Sequence, residues 1–417
     1  MNGEPSPVRA LAVTPSGPLR IERARDDGPR IRLSLVLPTY NEAKNVREVV
    51  RRLTSLLDGV LGDAYELLVV DDDSPDRTWE VAVSLTRDFP KLRVVRRIGE
   101  RGLSSAVIRG WQVSRGEVLA VIDADLQHPP EVTLRLWSEM DRGADLAVAS
   151  RHLEGGGVSD WSVARRFLSR GAQLLGLVLL PAVVGRVSDP MSGFFMIRRS
   201  ALEGVTLLPM GYKILIEVLG RGTVGWIAEV PYVFRERVAG ESKVSARLYV
   251  EYLAHLLRLR IDRFPMRRFL RFAMVGASGV LVDMSVLYLL SDPHSLGWGL
   301  TRSKVLAGEL AIVNNFLWND AWTFGDISRA QSRMQAKLGR FAKFQVICLA
   351  GLVLNTGLLN FQFNVLRMNR YLANAIAIGI VTLWNFWLNF KLGWRVTSVG
   401  APRALASEVP EAVVSKE

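Results

Sequence analysis

Four long apolar segments in the last third of the chain restrict its fold more than any other feature. They cover residues 272–290, 305–324, 344–366 and 372–390, and a helix needs about 20 apolar residues to cross a bilayer. Lys and Arg are concentrated before the first segment and between the second and third, and are fewer in the other two connections. By the positive-inside rule we expect the first half of the chain, the middle connection and the carboxyl tail in the cytoplasm.

The apolar region also repeats itself. RFLRFAMV at Arg268 resembles RFAKFQVI at Arg340, and NFLWN at Asn315 resembles NFWLN at Asn385. A period of about 70 residues predicts two helical hairpins in the same orientation.

Two acidic residues, Asp283 and Glu309, lie inside the apolar segments. An ionisable group there is costly and marks a functional hypothesis. Pairing with Asn, or with each other, as structural glue is an equally good interpretation.

The first half of the chain predicts a soluble α/β domain, because short apolar runs alternate with amphipathic segments. The expected strands are 33–38, 65–71, 92–95, 117–123 and 144–150. Residues 246–263 have apolar positions at helical spacing and Arg on the other face, which predicts a helix along the lipid headgroups. The expected organisation is a disordered tail (1–30), the α/β domain (31–245), the juxtamembrane helix (246–267), the transmembrane domain (268–395) and a flexible tail (396–417).

The net charge of +12 favours a polyanionic partner, which could be nucleic acid, anionic lipid or a phosphorylated substrate. Nucleic acid is the weakest of these, since it does not explain four spans with a positive-inside distribution. The single cysteine, Cys348, excludes an internal disulfide and a cysteine-rich zinc site. We therefore expect a membrane partner and no nucleic acid.

The motif DADLQHPPE follows an expected strand and carries the clearest chemical signal. Asp123, Asp125 and Gln127 supply hard oxygen ligands suited to Mg²⁺ or Mn²⁺ bridging a diphosphate. The alternative is a strand-to-helix turn in which an Asp caps the helix and the Pro pair begins it.

Two further polar motifs, PTYNE and DDDSPD, close the first two strands and should lie at the same sheet edge. Tyr40 could stack on a base, while Glu42 and Asp71 could bond to a ribose or a base edge. Ordinary capping is the alternative for each of these loops.

Together with SRH (150–152), DPMSGFF (189–195), GYKILIE (211–217) and RVAGESK (237–243), these motifs resemble the dolichol-phosphate mannose synthase group of family 2 glycosyltransferases. The resemblance covers roughly residues 31–245. It implies a GT-A fold, GDP-mannose as donor and a polyprenyl phosphate, such as dolichyl or undecaprenyl phosphate, as acceptor. Arg77 stands where the group usually has Gly, so UDP-glucose or another nucleotide sugar stays open as donor.

The resemblance also implies roles for individual residues. The residues expected to hold the nucleotide sugar are Pro38, Tyr40, Glu42, Val69, Asp71, Asp123, Ala124, Asp125, Gln127 and Arg237. The residues expected around the acceptor phosphate are Arg151, Arg165, Ser169 and Lys243. Catalysis is expected from Asp123, Asp125, Arg151, Arg237 and Lys243, with the metal on Asp123, Asp125 and Gln127.

The implied reaction is an inverting transfer that gives a β-linked product. Its nucleophile is a lipid phosphate oxygen that is already anionic, so no general base is strictly required. Positioning and charge neutralisation then carry the catalysis.

The apolar half resembles the small four-span GtrA-like membrane domains, with Asn315, Asn319, Asn385 and Asn389 on the repeated motif. Anchoring the enzyme, organising the acceptor and moving the product across the bilayer all stay open. A lipid-linked sugar flippase with a sensing soluble domain is the alternative function. A processive polysaccharide synthase has little support, because the chain has no Arg-Trp dipeptide for a QxxRW motif.

Overall fold

The computed structural model describes residues 11–23, 30–158, 163–235 and 246–396, with the side chains of 158–170 and 246–249 outside the description. The chain forms two compact units, Met1–Asp262 and Arg263–Glu417. Each is described by itself.

The first unit is built on a seven-stranded sheet in the order β3-β2-β1-β4-β7-β5-β8. The strands are β1 (Leu33–Thr39), β2 (Tyr65–Asp71), β3 (Leu92–Arg96), β4 (Val118–Val121), β5 (Leu146–Ser150), β6 (Gly157–Val158), β7 (Phe195–Arg198), β8 (Ile227–Pro231) and β9 (Val233–Phe234). Strand β7 runs antiparallel between β4 and β5, and β6 pairs with β9 in a separate ribbon.

Helices cover both faces of this sheet. They are α1 (Val46–Leu61), α2 (Thr78–Leu85), α3 (Leu103–Val113), α4 (Val132–Asp141), α5 (Val163–Leu179), α6 (Pro181–Val184), α7 (Ile214–Arg221) and α8 (Ala246–Asp262). Alternate residues of β1 supply the two cores: Val36 faces the α3, α7 and α8 side, while Leu35 and Leu37 face the α1, α2 and α4 side. Burial on both faces is typical of a central parallel strand.

The expected α/β architecture is confirmed, and all five expected strands are present. The later strands β6, β7, β8 and β9 were not expected. Strand β7 is only four residues long, and pairing in mid-sheet leaves both of its faces buried, so period-2 alternation is absent.

Residues 11–23 differ from the expected disordered tail. Ala12 N donates to Val94 O at 2.8 Å, the Ile21 side chain is wholly buried, and Arg109 Nη2 donates to Gly17 O at 3.1 Å. Backbone bonding and burial of Ile21 hold this segment on the α/β unit despite its Pro and Gly content.

Helix α8 belongs to the first unit and is amphipathic, as its periodicity predicts. Its inner face carries Tyr252, which donates to Ala172 O of α5 at 3.0 Å, and its outer face exposes Val250, Leu257 and Ile261. An exposed apolar stripe of this kind suits a helix that rests on a lipid surface.

The second unit is helical. Its helices are α9 (Met266–Ser291), α10 (Leu300–Trp318), α11 (Gly325–Ala330), α12 (Met334–Asn360) and α13 (Arg370–Leu388). One turn of π-helix follows each of α10, α12 and α13. Candidate spans are Met266–Ser291, Met334–Val365 and Arg370–Gly393. Helix α10, the second expected span, carries Arg302, Lys304 and Glu309 and is not among them.

The sequence repeat appears as two equivalent helix contacts. A Cβ on Gly279 of α9 would lie 2.4 Å from Asn315 Nδ2 of α10, and one on Gly351 of α12 would lie 2.5 Å from Asn385 Oδ1 of α13. In each hairpin a glycine therefore gives an asparagine amide room against the neighbouring helix.

The acidic residues of the apolar segments have partners other than those considered from the sequence. Lys304 Nζ donates to Asp283 Oδ2 at 2.5 Å, and Gln345 Nε2 donates to Glu309 Oε2 at 2.8 Å. These contacts join α9 to α10 and α10 to α12, which fits a role in helix association.

Candidate active site

The carboxyl ends of β2, β1 and β4 lie side by side at one edge of the sheet. Thr39 is in register with Asp71, and Val36 is in register with Val121. The loops that follow these strands carry the motifs PTYNE, DDDSPD and DADLQHPPE. The structure thus brings together the three polar loops that strand-end placement predicts to be neighbours.

Hydrogen bonds join the first two of these loops. Asn41 N donates to Ser74 Oγ at 3.0 Å, Glu42 N donates to Thr78 Oγ1 at 2.9 Å, and Ala43 N donates to Asp76 Oδ2 at 3.0 Å. Asn41 adopts a φ of 62°, a left-handed conformation that Asn tolerates better than most residues. The two loops therefore form one rigid rim beside the end of β1.

Hydrogen bonds from Thr39 and Ser74 of the rim fix the Asp71 side chain. Its carboxylate is wholly buried and accepts from Thr39 Oγ1 at 2.9 Å, Ser74 N at 2.9 Å and Ser74 Oγ at 2.7 Å. Burial raises the pKa of Asp71 above its ordinary value, although these donors oppose the shift. Asp71 therefore accepts hydrogen bonds from its own loop, as the capping alternative predicts.

The other residues expected at the nucleoside differ in exposure. Pro38, Tyr40 and Glu42 are half-buried at the rim, and Glu42 Oε2 accepts from Asn45 Nδ2 at 2.7 Å. The Val69 side chain is wholly buried in the core beneath the rim, so any nucleotide contact at that position would need its backbone.

Sequence reasoning missed an arginine that organises the loop after β3. The Arg97 side chain is wholly buried, and its Nε donates to Asp72 Oδ1 at 2.7 Å. Asp72 Oδ2 accepts from Gly102 N at 2.8 Å, and the Arg101 guanidinium lies 5.2 Å from the Tyr40 ring centroid. The only sequence signal for Arg97 was the basic run RRIGER at residues 96–101. Such a run usually forms a solvated surface, so it did not indicate a buried arginine.

The third of these loops, which carries DADLQHPPE and follows β4, is a turn with its own internal hydrogen bonds. Asp125, 5% exposed, accepts from Gln127 N at 3.1 Å, while Gln127 Nε2 donates to Arg235 O at 3.1 Å. Ala124 is buried between the two aspartates, and Leu126 adopts a φ of 60°. A non-glycine residue in this conformation is uncommon and is typical of functional sites.

His128 is the next residue of this motif and was not assigned a role from the sequence. Its ring is 3% exposed and is surrounded by the rings of Phe194, Tyr232 and Phe234, with centroids 5.2–5.5 Å away. Its Nδ1 lies 3.5 Å from Asp123 Oδ2. Burial lowers the pKa of His128 to about 4.

The donor set of the third loop fits a hard divalent cation. In the described part of the chain no three His, Cys, Asp or Glu side chains gather closely enough to form a metal site by themselves. Two carboxylates and one amide oxygen, from Asp123, Asp125 and Gln127, would leave coordination positions for diphosphate oxygens. The buried His128 nitrogen beside Asp123 is the kind of neighbour that ligating carboxylates have in metal sites.

Arg151 follows β5 at the same edge and makes a bidentate ion pair. Its Nε donates to Asp189 Oδ2 at 2.7 Å and its Nη2 donates to Asp189 Oδ1 at 2.8 Å. Burial opposes both charges, but the pairing prevails: the pKa of Arg151 is raised and that of Asp189 is lowered. Asp189 begins the DPMSGFF motif, and Lys213 Nζ donates to Met191 O of that motif at 3.0 Å.

The remaining predicted site residues are not placed. Arg165 and Ser169 lie on α5, but their side chains are outside the described set, as are residues 236–245 with Arg237 and Lys243. Their expected roles at the phosphates stay predictions.

Two protein-family models match this chain, one in each unit. The family described as Glycosyl transferase family 2 matches residues 34–206, and the family described as GtrA/DPMS, transmembrane domain, matches residues 271–394. The chain is therefore a glycosyltransferase and a multi-pass membrane protein. Among solved structures, glucosyl-3-phosphoglycerate synthase from Mycobacterium tuberculosis has a TM-score of 0.42 and 24% identity, over 55% of this chain and 80% of that one.

Curated relatives narrow the class. A dolichol-phosphate mannosyltransferase from Pyrococcus furiosus is 40% identical over 364 residues, which is 87% of this chain and 99% of that protein. The Saccharomyces cerevisiae dolichol-phosphate mannosyltransferase is 34% identical over 58% of this chain and 92% of its own length. The polyprenol monophosphomannose synthase of Mycolicibacterium smegmatis is 36% identical over 56% of this chain and 91% of its own length. The chain belongs to the dolichol-phosphate mannosyltransferase family.

Proposed function

We propose that this protein transfers mannose from GDP-mannose to a polyprenyl phosphate, such as dolichyl or undecaprenyl phosphate, at the cytoplasmic face of the membrane. The observation that carries the proposal is the 40% identity to a dolichol-phosphate mannosyltransferase over 99% of that protein, across both units. The positive-inside distribution supports the cytoplasmic placement of the α/β unit.

The nucleotide is assigned to the rim formed by the first two loops. Tyr40 is partly exposed, Pro38 and Glu42 lie at the end of β1, and Asp71 ends the neighbouring strand β2. The interlocked backbone of this rim makes the binding surface rigid before the donor arrives, which lowers the entropy lost on binding. Val69 and Ala124 contribute backbone rather than side chains.

The diphosphate is assigned to the third loop. Asp123, Asp125 and Gln127 would hold Mg²⁺ or Mn²⁺ there, and the cation would supply positive charge to the departing nucleotide diphosphate. Arg237 is assigned to the same phosphates.

The acceptor phosphate is assigned to Arg151, Arg165, Ser169 and Lys243. Two anions must approach each other in this reaction, and guanidinium or ammonium groups reduce their repulsion. Arg151 is suited to this role because Asp189 fixes the plane of its guanidinium before any substrate is present. The phosphate oxygen attacks the anomeric carbon in a single displacement, which inverts the configuration and gives a β-linked product.

The test uses the full-length protein in detergent with labelled donor and polyprenyl phosphate. Transfer from GDP-mannose into an organic-extractable product that mild acid cleaves is expected, with no comparable transfer from UDP-glucose. Nuclear magnetic resonance of the product should show a β-phosphate linkage. A preference for UDP-glucose would show that the donor is UDP-glucose and not GDP-mannose. Absence of transfer from every nucleotide sugar would favour the flippase alternative.

A further inference from the structure

The two aspartates of the third loop are held in different ways. The Asp125 carboxylate accepts a hydrogen bond from the backbone of its own turn, at Gln127 N. The Asp123 carboxylate has Gly193 and His128, a residue of the same motif, close to its Oδ2.

Gly193 leaves space on one side of Asp123. A Cβ at this position would lie 3.3 Å from Asp123 Oδ2, which is closer than a side chain and a carboxylate oxygen normally approach. The φ of Gly193 is not in the left-handed region, so the glycine is not required for backbone conformation. Glycine at position 193 therefore lets the backbone approach the carboxylate without displacing it.

His128 approaches the same carboxylate oxygen. Its Nδ1 is buried and has no hydrogen-bond partner among the residues that the structure describes, and the nearest carboxylate oxygen is Asp123 Oδ2 at 3.5 Å. A hydrogen bond would need about 2.7–3.2 Å, so a small carboxylate rotation would complete it. A buried polar atom without a partner is costly, and the three surrounding aromatic rings supply no acceptor as strong as this carboxylate.

We propose that His128 is the positioning residue for Asp123: its Nδ1–H donates to Asp123 Oδ2 and fixes the carboxylate in the orientation that binds the divalent cation. The inference rests on the proposed function, because it takes Asp123 as a metal ligand. It adds a residue that acts through Asp123 and does not itself touch the cation or the donor.

Two substitutions separate this role from packing. His128→Phe keeps a ring in the aromatic surroundings and removes the nitrogen. His128→Asn loses ring volume and keeps an N–H donor at the same distance from the backbone as Nδ1. If His128 acts by positioning Asp123, the Asn variant should bind the metal more tightly than the Phe variant. If it acts only by packing, the Phe variant should bind the metal more tightly than the Asn variant.

The readout is Mn²⁺ affinity of the full-length protein in detergent with GDP, measured by electron paramagnetic resonance of free Mn²⁺, with thermal unfolding recorded in parallel. Loss of a partner to a metal ligand typically costs ten- to a hundredfold in affinity. We expect about that weakening in His128→Phe and less than about threefold in His128→Asn, although the Asn variant melts at lower temperature.

A matched control is His255→Phe, since His255 is equally buried but bonds to Glu217 of α7. Its Mn²⁺ affinity should equal that of the wild type even where its melting temperature falls. Unchanged affinity in His128→Phe, or affinities that follow melting temperature across the variants, would overturn the inference. Absence of Mn²⁺ binding by the wild type, or binding that Asp125→Asn does not affect, would instead overturn the metal assignment.

Discussion

Arg151 and Asp189 form a bidentate ion pair at the edge of the sheet, with Nε 2.7 Å from Oδ2 and Nη2 2.8 Å from Oδ1. The Arg151 side chain is 9% exposed and the Asp189 side chain is not exposed at all. A buried pair contributes little net stability, because desolvation offsets much of the attraction. Orientation of the guanidinium is the more useful consequence, since the carboxylate fixes the plane of the group that would meet an acceptor phosphate.

Arg151→Lys tests this orientation. Lysine keeps the positive charge but lacks the planar two-nitrogen fork that pairs with the Asp189 carboxylate. We expect kcat/KM for the polyprenyl phosphate to fall about ten- to hundredfold, with little change in the affinity for GDP. Arg142→Lys, in an exposed pair with Glu139, serves as the control. Equal activity of both variants would exclude Arg151 from the acceptor site.

A second buried pair joins α8 to the sheet domain. Glu217 Oε2 lies 2.7 Å from His255 Nε2, and Glu217 Oε1 accepts from Leu208 N and Arg221 Nε, each at 2.6 Å. Burial would raise the pKa of Glu217, but His255, Leu208 N and Arg221 together lower it below its usual value.

A lowered glutamate pKa stabilises the fold above the unfolded pKa, which is about 4.3. This contribution is lost as the pH falls through the lower folded-state pKa. Glu217→Gln should therefore melt at lower temperature than the wild type at pH 7, and the difference should shrink as the pH falls below about 4.3 and disappear below the folded-state pKa. Thermal unfolding of the full chain against pH measures this.

The exposed variant Glu80→Gln is the control for this profile and should follow the wild type throughout. A Glu217→Gln profile parallel to that of the wild type at every pH would show that the pair does not act through the glutamate charge.

Most of the α/β framework could be predicted because its central strands are short apolar runs that end in polar motifs. Strand β2 matched its expected bounds, Tyr65–Asp71, since every residue before Asp71 is apolar or lies at the strand start. Strand β7 was not predicted because its four residues, FMIR, show no alternation of apolar and polar side chains. The order of the strands depends on long-range pairing, which local patterns do not contain.

The site was predictable where function resides in a strand-end motif and unpredictable where it depends on contacts between distant loops. Asp123 and Asp125 follow β4 and could be found from spacing. His128 belongs to the same motif, but its role depends on Phe194 and Phe234, which are far away in sequence. Asp189 likewise gains its role only when the fold brings it to Arg151.

Metal removal tests the assignment of the third loop. Chelation should abolish transfer from GDP-mannose, and Mg²⁺ or Mn²⁺ should restore it, because the departing diphosphate then regains its countercharge. Asp125→Asn should lower kcat at least about a hundredfold, measured with saturating cation. Asp141→Asn, in an exposed pair with Arg32, should retain wild-type activity. Full activity after chelation would remove the cation from the proposed function.

The repeated glycine–asparagine contacts give a prediction for the membrane unit. Gly279→Leu places a side chain where a Cβ alone would lie 2.4 Å from Asn315 Nδ2, and overpacking of this kind costs about 1–3 kcal/mol. Gly276→Leu, on the same helix, has no atom within 4 Å of its Cβ and is the matched control. We expect a lower melting temperature for Gly279→Leu alone.

A rescue variant decides whether the contact is the cause. Gly279→Ala combined with Asn315→Ala removes the amide that the new Cβ would meet, so the double variant should melt above Gly279→Ala alone. The equivalent pair, Gly351 and Asn385, should behave in the same way, because a Cβ at Gly351 would lie 2.5 Å from Asn385 Oδ1. Additive effects of the two substitutions within each pair would show that these amides do not set the close approach of the helices.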